Sequence, residues 1–120
     1  MIEELPELVN QNPALVRRGR WTNAVMLLGL GEQYWLVTIA EGRITECRRQ
    51  SLRISAFDFA ITGDEQAWRK FWAQTPPPMH HDLHALLRIE AIRIEGDIDL
   101  LLANMLYFKI MLETLRGRVR

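Results

Sequence analysis

A single cysteine, Cys47, leaves the chain without the means to form an intramolecular disulfide or a cysteine-rich zinc site. Net charge is also missing: fifteen Lys and Arg balance fifteen Asp and Glu over 120 residues, which removes the usual electrostatic reason to expect nucleic acid as a partner. No stretch approaches the roughly eighteen uncharged apolar residues of a membrane span. The longest candidate, 100–112, is interrupted by Asn104 and Lys109. Repeats and low-complexity tracts are absent. The first residues are acidic at Glu3 and Glu4 and broken by Pro6 and Pro13, which does not match a secretory signal. Together these absences lead to the expectation of a cytoplasmic chain that meets lipid, if at all, from the aqueous side.

What is present is a hydrophobic content of 48% against 25% charged residues, the profile of an ordinary packed domain. Residues 1–20 read as one or two short helices forming a lid or clasp, with Leu5, Leu8 and Val9 on one face and Gly19 as the stop. Residues 21–120 read as a single domain. "TNAVMLLGLG" and "YWLVTIA" have the composition of adjacent antiparallel strands, "AEGR" makes a tight turn, and "RITECRR" follows as a third strand. "RISAFDFAIT" predicts a fourth, with Phe57, Phe59 and Ile61 on one face and Asp58 and Ala60 on the other. "TGDEQAWRKFWAQ" opens with a helix cap at Thr62 or Asp64 and sets Trp68, Phe71 and Trp72 on one face. Three prolines break the chain before a second short helix with Leu83, Leu86 and Leu87. "EAIRIEGD" supplies a last strand with Ile92 and Ile94 inward, and Asp97 caps a long C-terminal helix.

That helix carries more apolar surface than one packed face needs. At ~100° per residue, one arc collects Leu100, Leu101, Met105, Tyr107, Phe108, Met111, Leu112 and Leu115, enough to cover a sheet. Leu102, Leu106 and Ile110 form a second row that a partner, a ligand or another part of the chain must cover. Flexible Met79, Met105 and Met111, with the aromatic rings of Trp68, Phe71, Trp72 and Phe108, suit the wall of an adaptable cavity. Ordinary core packing accounts for the same residues.

Catalytic signatures are weak. His80, His84 and Asp82 in "HHDLH" have metal-like spacing but lack the general-base glutamate of a metalloprotease motif. "GLGE" falls between strands rather than before a helix, where it would cradle phosphate. Asp64 and Asp97 have capping roles, and Cys47 on a strand reads as a small apolar filler. The expectation is a binding protein rather than an enzyme, with no cofactor and no metal. Basic clusters at Arg17, Arg18 and Arg20, at Arg48, Arg49 and Arg53, and at Arg116, Arg118 and Arg120 read as solvated side chains, or as points of transient contact with an anionic membrane surface.

The order "VTIAEGRITE", "FDFAITGDEQAWRKFW", "LRIEAIRIEGD" and a terminal helix resembles the sterol carrier protein 2 family over residues 20–116. Its most distinctive points are the junction at 61–72 and the "I-x-I-E-G-D" strand end, while "QTPPPMHHDLH" departs from the simpler inter-helix link of the family. The resemblance implies an α+β fold, a five-stranded, largely antiparallel sheet covered by helices, with a hydrophobic tunnel for a fatty acid, acyl-CoA, sterol or similar lipid. Phe57, Phe59, Trp68, Phe71, Trp72, Leu86, Leu101, Met105, Phe108, Met111 and Leu112 are the candidate walls of that cavity, and Arg69, His81, Asn104 or Tyr107 would meet a head group. The alternative is an interaction module that packs its C-terminal helix on a twin subunit or a partner enzyme.

Overall fold

The computed structural model describes residues 1–51 and 56–118. Five strands, β1 (Ala24–Leu30), β2 (Gln33–Ala40), β3 (Arg43–Gln50), β4 (Phe59–Gly63) and β5 (Ile92–Gly96), make one sheet in the order β3-β2-β1-β4-β5. Neighbours run antiparallel except β1 and β4, which are parallel. The β2–β3 hairpin turns through Glu41 and Gly42, both at positive φ (51° and 82°), which matches the twist of the flanking strands. Only glycine suits position 42, because a Cβ there would lie 2.6 Å from the Val16 carbonyl oxygen.

A 3-10 turn (Ile2–Glu4) leads into α1 (Leu5–Asn10) and α2 (Pro13–Arg18). After β4 come α3 (Glu65–Phe71) and α4 (Leu83–Arg88), and after β5 come α5 (Ile98–Ala103) and α6 (Met105–Glu113). Side-chain caps explain the starts: Asn12, Asp64, Asp82 and Asp97 accept from the amides of Leu15, Ala67, Ala85 and Leu100. The helices bury one sheet face. Met26, Leu28, Val37, Ile39, Phe59 and Ile61 meet Leu5, Val9, Leu15, Trp68, Phe71, Leu86, Phe108 and Met111 in the main core. Asn10 sews α1 to the edge strand by bonding both the amide and the carbonyl of Ile44.

Three sequence expectations change. Phe57 does not share a face with Phe59: β4 begins only at Phe59, and Phe57 sits in the preceding bend against Leu27, Leu36 and Ala60 on the opposite side of the sheet. The Asp58 carboxylate, accepting from the Val25 amide at 2.7 Å, holds that bend. The first residues of the expected fourth strand, 53–55, lie outside the described residues, as do Arg53 and Arg120. The long C-terminal helix is two helices broken at Asn104, whose side chain accepts from Thr22 Oγ1 at 2.8 Å and donates to the Leu100 carbonyl at 3.0 Å. A side chain that bonds its own preceding turn competes with helix propagation. Finally, Ile110 packs against the core instead of continuing the outer row.

Gly19 permits a close approach between the end of α2 and α6. A Cβ on it would overlap the ring of Tyr107, whose hydroxyl donates to the Gly42 carbonyl at 2.7 Å. Gly19→Ala is expected to lower stability by about 2 kcal/mol, the usual cost of overpacking, read as a fall in the urea midpoint. Burial pushes the Tyr107 hydroxyl from 10.0 to about 12. Burial first, and then the nearby Glu3 charge, lifts the Cys47 thiol from 9.0 to about 11. Both groups hold their protons more tightly when folded, so stability falls as pH rises through these windows. Chemical denaturation from pH 9 upward should show that fall, and Cys47→Ala with Tyr107→Phe should flatten it. At pH 8, Cys47 should alkylate far more slowly in the folded than in the unfolded chain.

Candidate functional site

Helix α3 organises the site. Its cap at Asp64 starts a short amphipathic helix, in which Arg69 and Lys70 face water while Trp68, Phe71 and the capping Trp72 are fully buried. The two indoles stack at 5.0 Å with planes 21° apart, and Phe71 meets Trp68 edge-on at 5.7 Å. Each indole N–H has a backbone acceptor, Trp68 the Gly29 carbonyl at 2.9 Å and Trp72 the Leu112 carbonyl at 2.8 Å.

The C-terminal segment returns to this block. The Arg116 guanidinium donates to the Phe71 carbonyl through Nε (3.1 Å) and Nη2 (3.0 Å), to the His81 carbonyl (3.0 Å) and to Glu113 (3.0 Å), with its carbon 5.0 Å from the Phe71 ring centre. The Gly117 amide donates to the Trp72 carbonyl. A pocket of ≈ 690 Å³ opens where these elements end. Leu30 forms the apolar part of its surface, with the buried indoles of Trp68 and Trp72 directly beneath; Glu65 and Arg69 of α3 border it, as do Met1, Glu3, Glu4, Gly117 and Arg118 from the two chain ends. Arg118 pairs with Glu4 at 3.1 Å, tying one end of the chain to the other beside the pocket. Arg69 pairs with Glu65, and the N-terminal ammonium with Glu3. The hydrogen bond from that ammonium, helped by the backbone, holds the Glu3 carboxyl below its usual range. The rim therefore carries both signs of charge above the buried indoles. A second hollow of ≈ 940 Å³, lined by Tyr34, Arg93 and Glu95 among others, is shallower.

Of the candidate wall residues, Trp68 and Trp72 reach the pocket. Phe59 and Phe108 meet edge-to-face at 5.0 Å in the main core, where Phe71, Leu86, Leu101, Met111 and Leu112 are also fully buried and Met105 half-buried. Phe57 is on the far face. Among the suggested head-group residues Arg69 alone lines the pocket: Tyr107 and Asn104 are engaged in the structural hydrogen bonds above, and His81 sits 3.6 Å from Asp82. Met79 lies in the turn after the prolines with φ 69°, apart from the core cluster. Leu30 and Glu4 carry no signal of a site in the sequence, and Arg118 reads there as a solvated or membrane-facing side chain, because no local pattern announces that the two chain ends meet. Asp82 is occupied as the cap of α4, and its bond from the Ala85 amide keeps its carboxyl low. Among the described residues no cluster of His, Cys, Asp and Glu has the arrangement of a metal site.

No protein-family model and no curated protein matches the sequence. Solved structures do match. A crystal structure of sterol carrier protein 2 superposes with a TM-score of 0.79 over 96% of this chain and 92% of its own, at 11% identity. A solution structure from Thermus thermophilus, of a conserved hypothetical protein described as possibly a sterol carrier protein, gives 0.75 over 98% and 84%, at 12% identity. A ubiquinone synthesis protein, UbiJ-SCP2, gives 0.62 over 95% and 86%, at 15% identity. At such identities the likeness speaks for architecture, and the architecture is plain: the chain has the sterol carrier protein 2 fold.

Proposed function

We propose that the protein binds a long apolar molecule, a fatty acid, acyl-CoA, sterol or similar lipid, and carries it without covalent chemistry. The observation that supports this most is the pocket at Leu30 above the buried indoles of Trp68 and Trp72, of a size within the roughly 300–1,000 Å³ usual for small-molecule sites. Fold neighbours named as a sterol carrier and a ubiquinone synthesis protein point the same way, since sterols and ubiquinone are both long apolar molecules.

Burying about ten methylenes at ~0.8 kcal/mol each gives roughly 8 kcal/mol gross. After ordering costs, an affinity near micromolar follows without any salt bridge, and the charged rim orients the head group. Native mass spectrometry of protein expressed in cells should find a co-purifying apolar molecule, and a fluorescent fatty acid should quench Trp68 and Trp72 on binding. Arg118→Glu should weaken a fatty acid about fivefold, the effect of about 1 kcal/mol of charge interaction, while leaving a neutral sterol analogue unchanged. A chain that neither retains nor takes up any apolar ligand would end this reading.

A further inference from the structure

The outer row of the C-terminal helices acquires a neighbour distant in sequence. Ile98, Leu102 and Leu106, spaced i, i+4 and i+8, are exposed by 45%, 56% and 48%. Thr22 is hydrogen-bonded to Asn104, midway between Leu102 and Leu106, and Gly19 lies against Tyr107, so the segment 19–22 is fastened to the junction of α5 and α6. Between these two anchors stands Trp21, 81% exposed, the most open of the large apolar side chains among the described residues. The Arg20 guanidinium lies 5.6 Å from its ring centre. Arg17 and Arg18, exposed at the end of α2, and Arg43, just past the Gly42 turn that packs on α2, extend the basic border; Glu41, Asp97 and Asp99 are the acidic groups closest in sequence to these elements.

We infer that this surface docks on a membrane rich in anionic lipid, with Trp21, Leu102 and Leu106 entering the boundary between head groups and acyl chains and the arginines meeting lipid phosphates. Tryptophan is favoured at that depth, and exposed arginines beside it supply the attraction. Contact is peripheral, because no helix among the described residues is long and apolar enough to cross a membrane. An anionic lipid surface answers all the exposed arginines at once, whereas a second copy docking by a twofold axis would present the same basic-bordered patch to itself. The pocket floor at Leu30 and the segment at Trp21 lie toward opposite ends of β1, so ligand uptake and docking are separable.

Flotation of the full chain with vesicles of equal parts phosphatidylcholine and phosphatidylglycerol tests this. The wild type should float with them, shift its tryptophan emission to the blue, and be released by salt. Trp21→Phe should still float but lose most of the shift. Trp21→Ala with Leu106→Ser should weaken partitioning at least about tenfold, and Arg17→Gln and Arg18→Gln about fivefold each. The urea midpoint and fatty-acid affinity should hold in every variant. Absence of flotation, equal binding to pure phosphatidylcholine, or variants that float like the wild type would overturn the inference. A concentration-dependent dimer abolished by Trp21→Ala would do so too, and would give the surface to a second copy.

Discussion

Two indole N–H groups, buried with their rings and therefore obliged to find acceptors, govern the geometry of the helix layer. An unsatisfied buried donor costs about 1–3 kcal/mol, so a bulky ring with one polar atom can rest only where a carbonyl is offered. Trp68 finds one on the central strand β1 and Trp72 one near the end of α6. Helix α3, seven residues long and too short to hold itself together in water, is thereby bolted to the sheet and to the last helix at once. Gly63 leaves the Trp68 indole its room, since a Cβ there would stand 3.2 Å from the ring nitrogen.

The position of the pocket follows from that bolt. With α3 fixed, its terminal carbonyl at Phe71 meets the C-terminal segment, where Arg116 collects it together with the His81 carbonyl from the stretch before α4. A guanidinium on a helix C-terminus satisfies carbonyls that have no partner within the helix and complements the negative end of its dipole. The next residues then run past the indoles toward the N-terminal turn, where Arg118 meets Glu4. The space bounded by the indoles and the two chain ends is the candidate site. Its apolar part is buried, whereas its rim is an exposed ion pair worth little in water.

Asn104 has the complementary role at the other end of the molecule. By interrupting the C-terminal helix and binding Thr22, it lets α6 turn Tyr107, Phe108, Met111 and Leu112 into the core while Leu102 and Leu106 remain outside beside Trp21. One polar side chain thus separates a buried face from an exposed one, and places the apolar exterior away from the pocket.

Local pattern in the sequence was enough for the strand alternation of Ile92 and Ile94, the cap at Asp97, a helix start at Thr62 or Asp64, the shared face of Trp68, Phe71 and Trp72, and a second apolar row at Leu102, Leu106 and Ile110, though not for which of its members would be covered. Each depends on residues within a turn or two of one another, where backbone periodicity sets the direction of the side chain. Tertiary structure alone decided that β1 and β4 run parallel, that Phe57 faces away from Phe59, that Arg116 latches rather than solvates, and that Leu30, Glu4 and Arg118 gather around two indoles. Those outcomes join positions tens of residues apart, and they are selected by which buried donor reaches which carbonyl, a choice no short stretch of sequence contains.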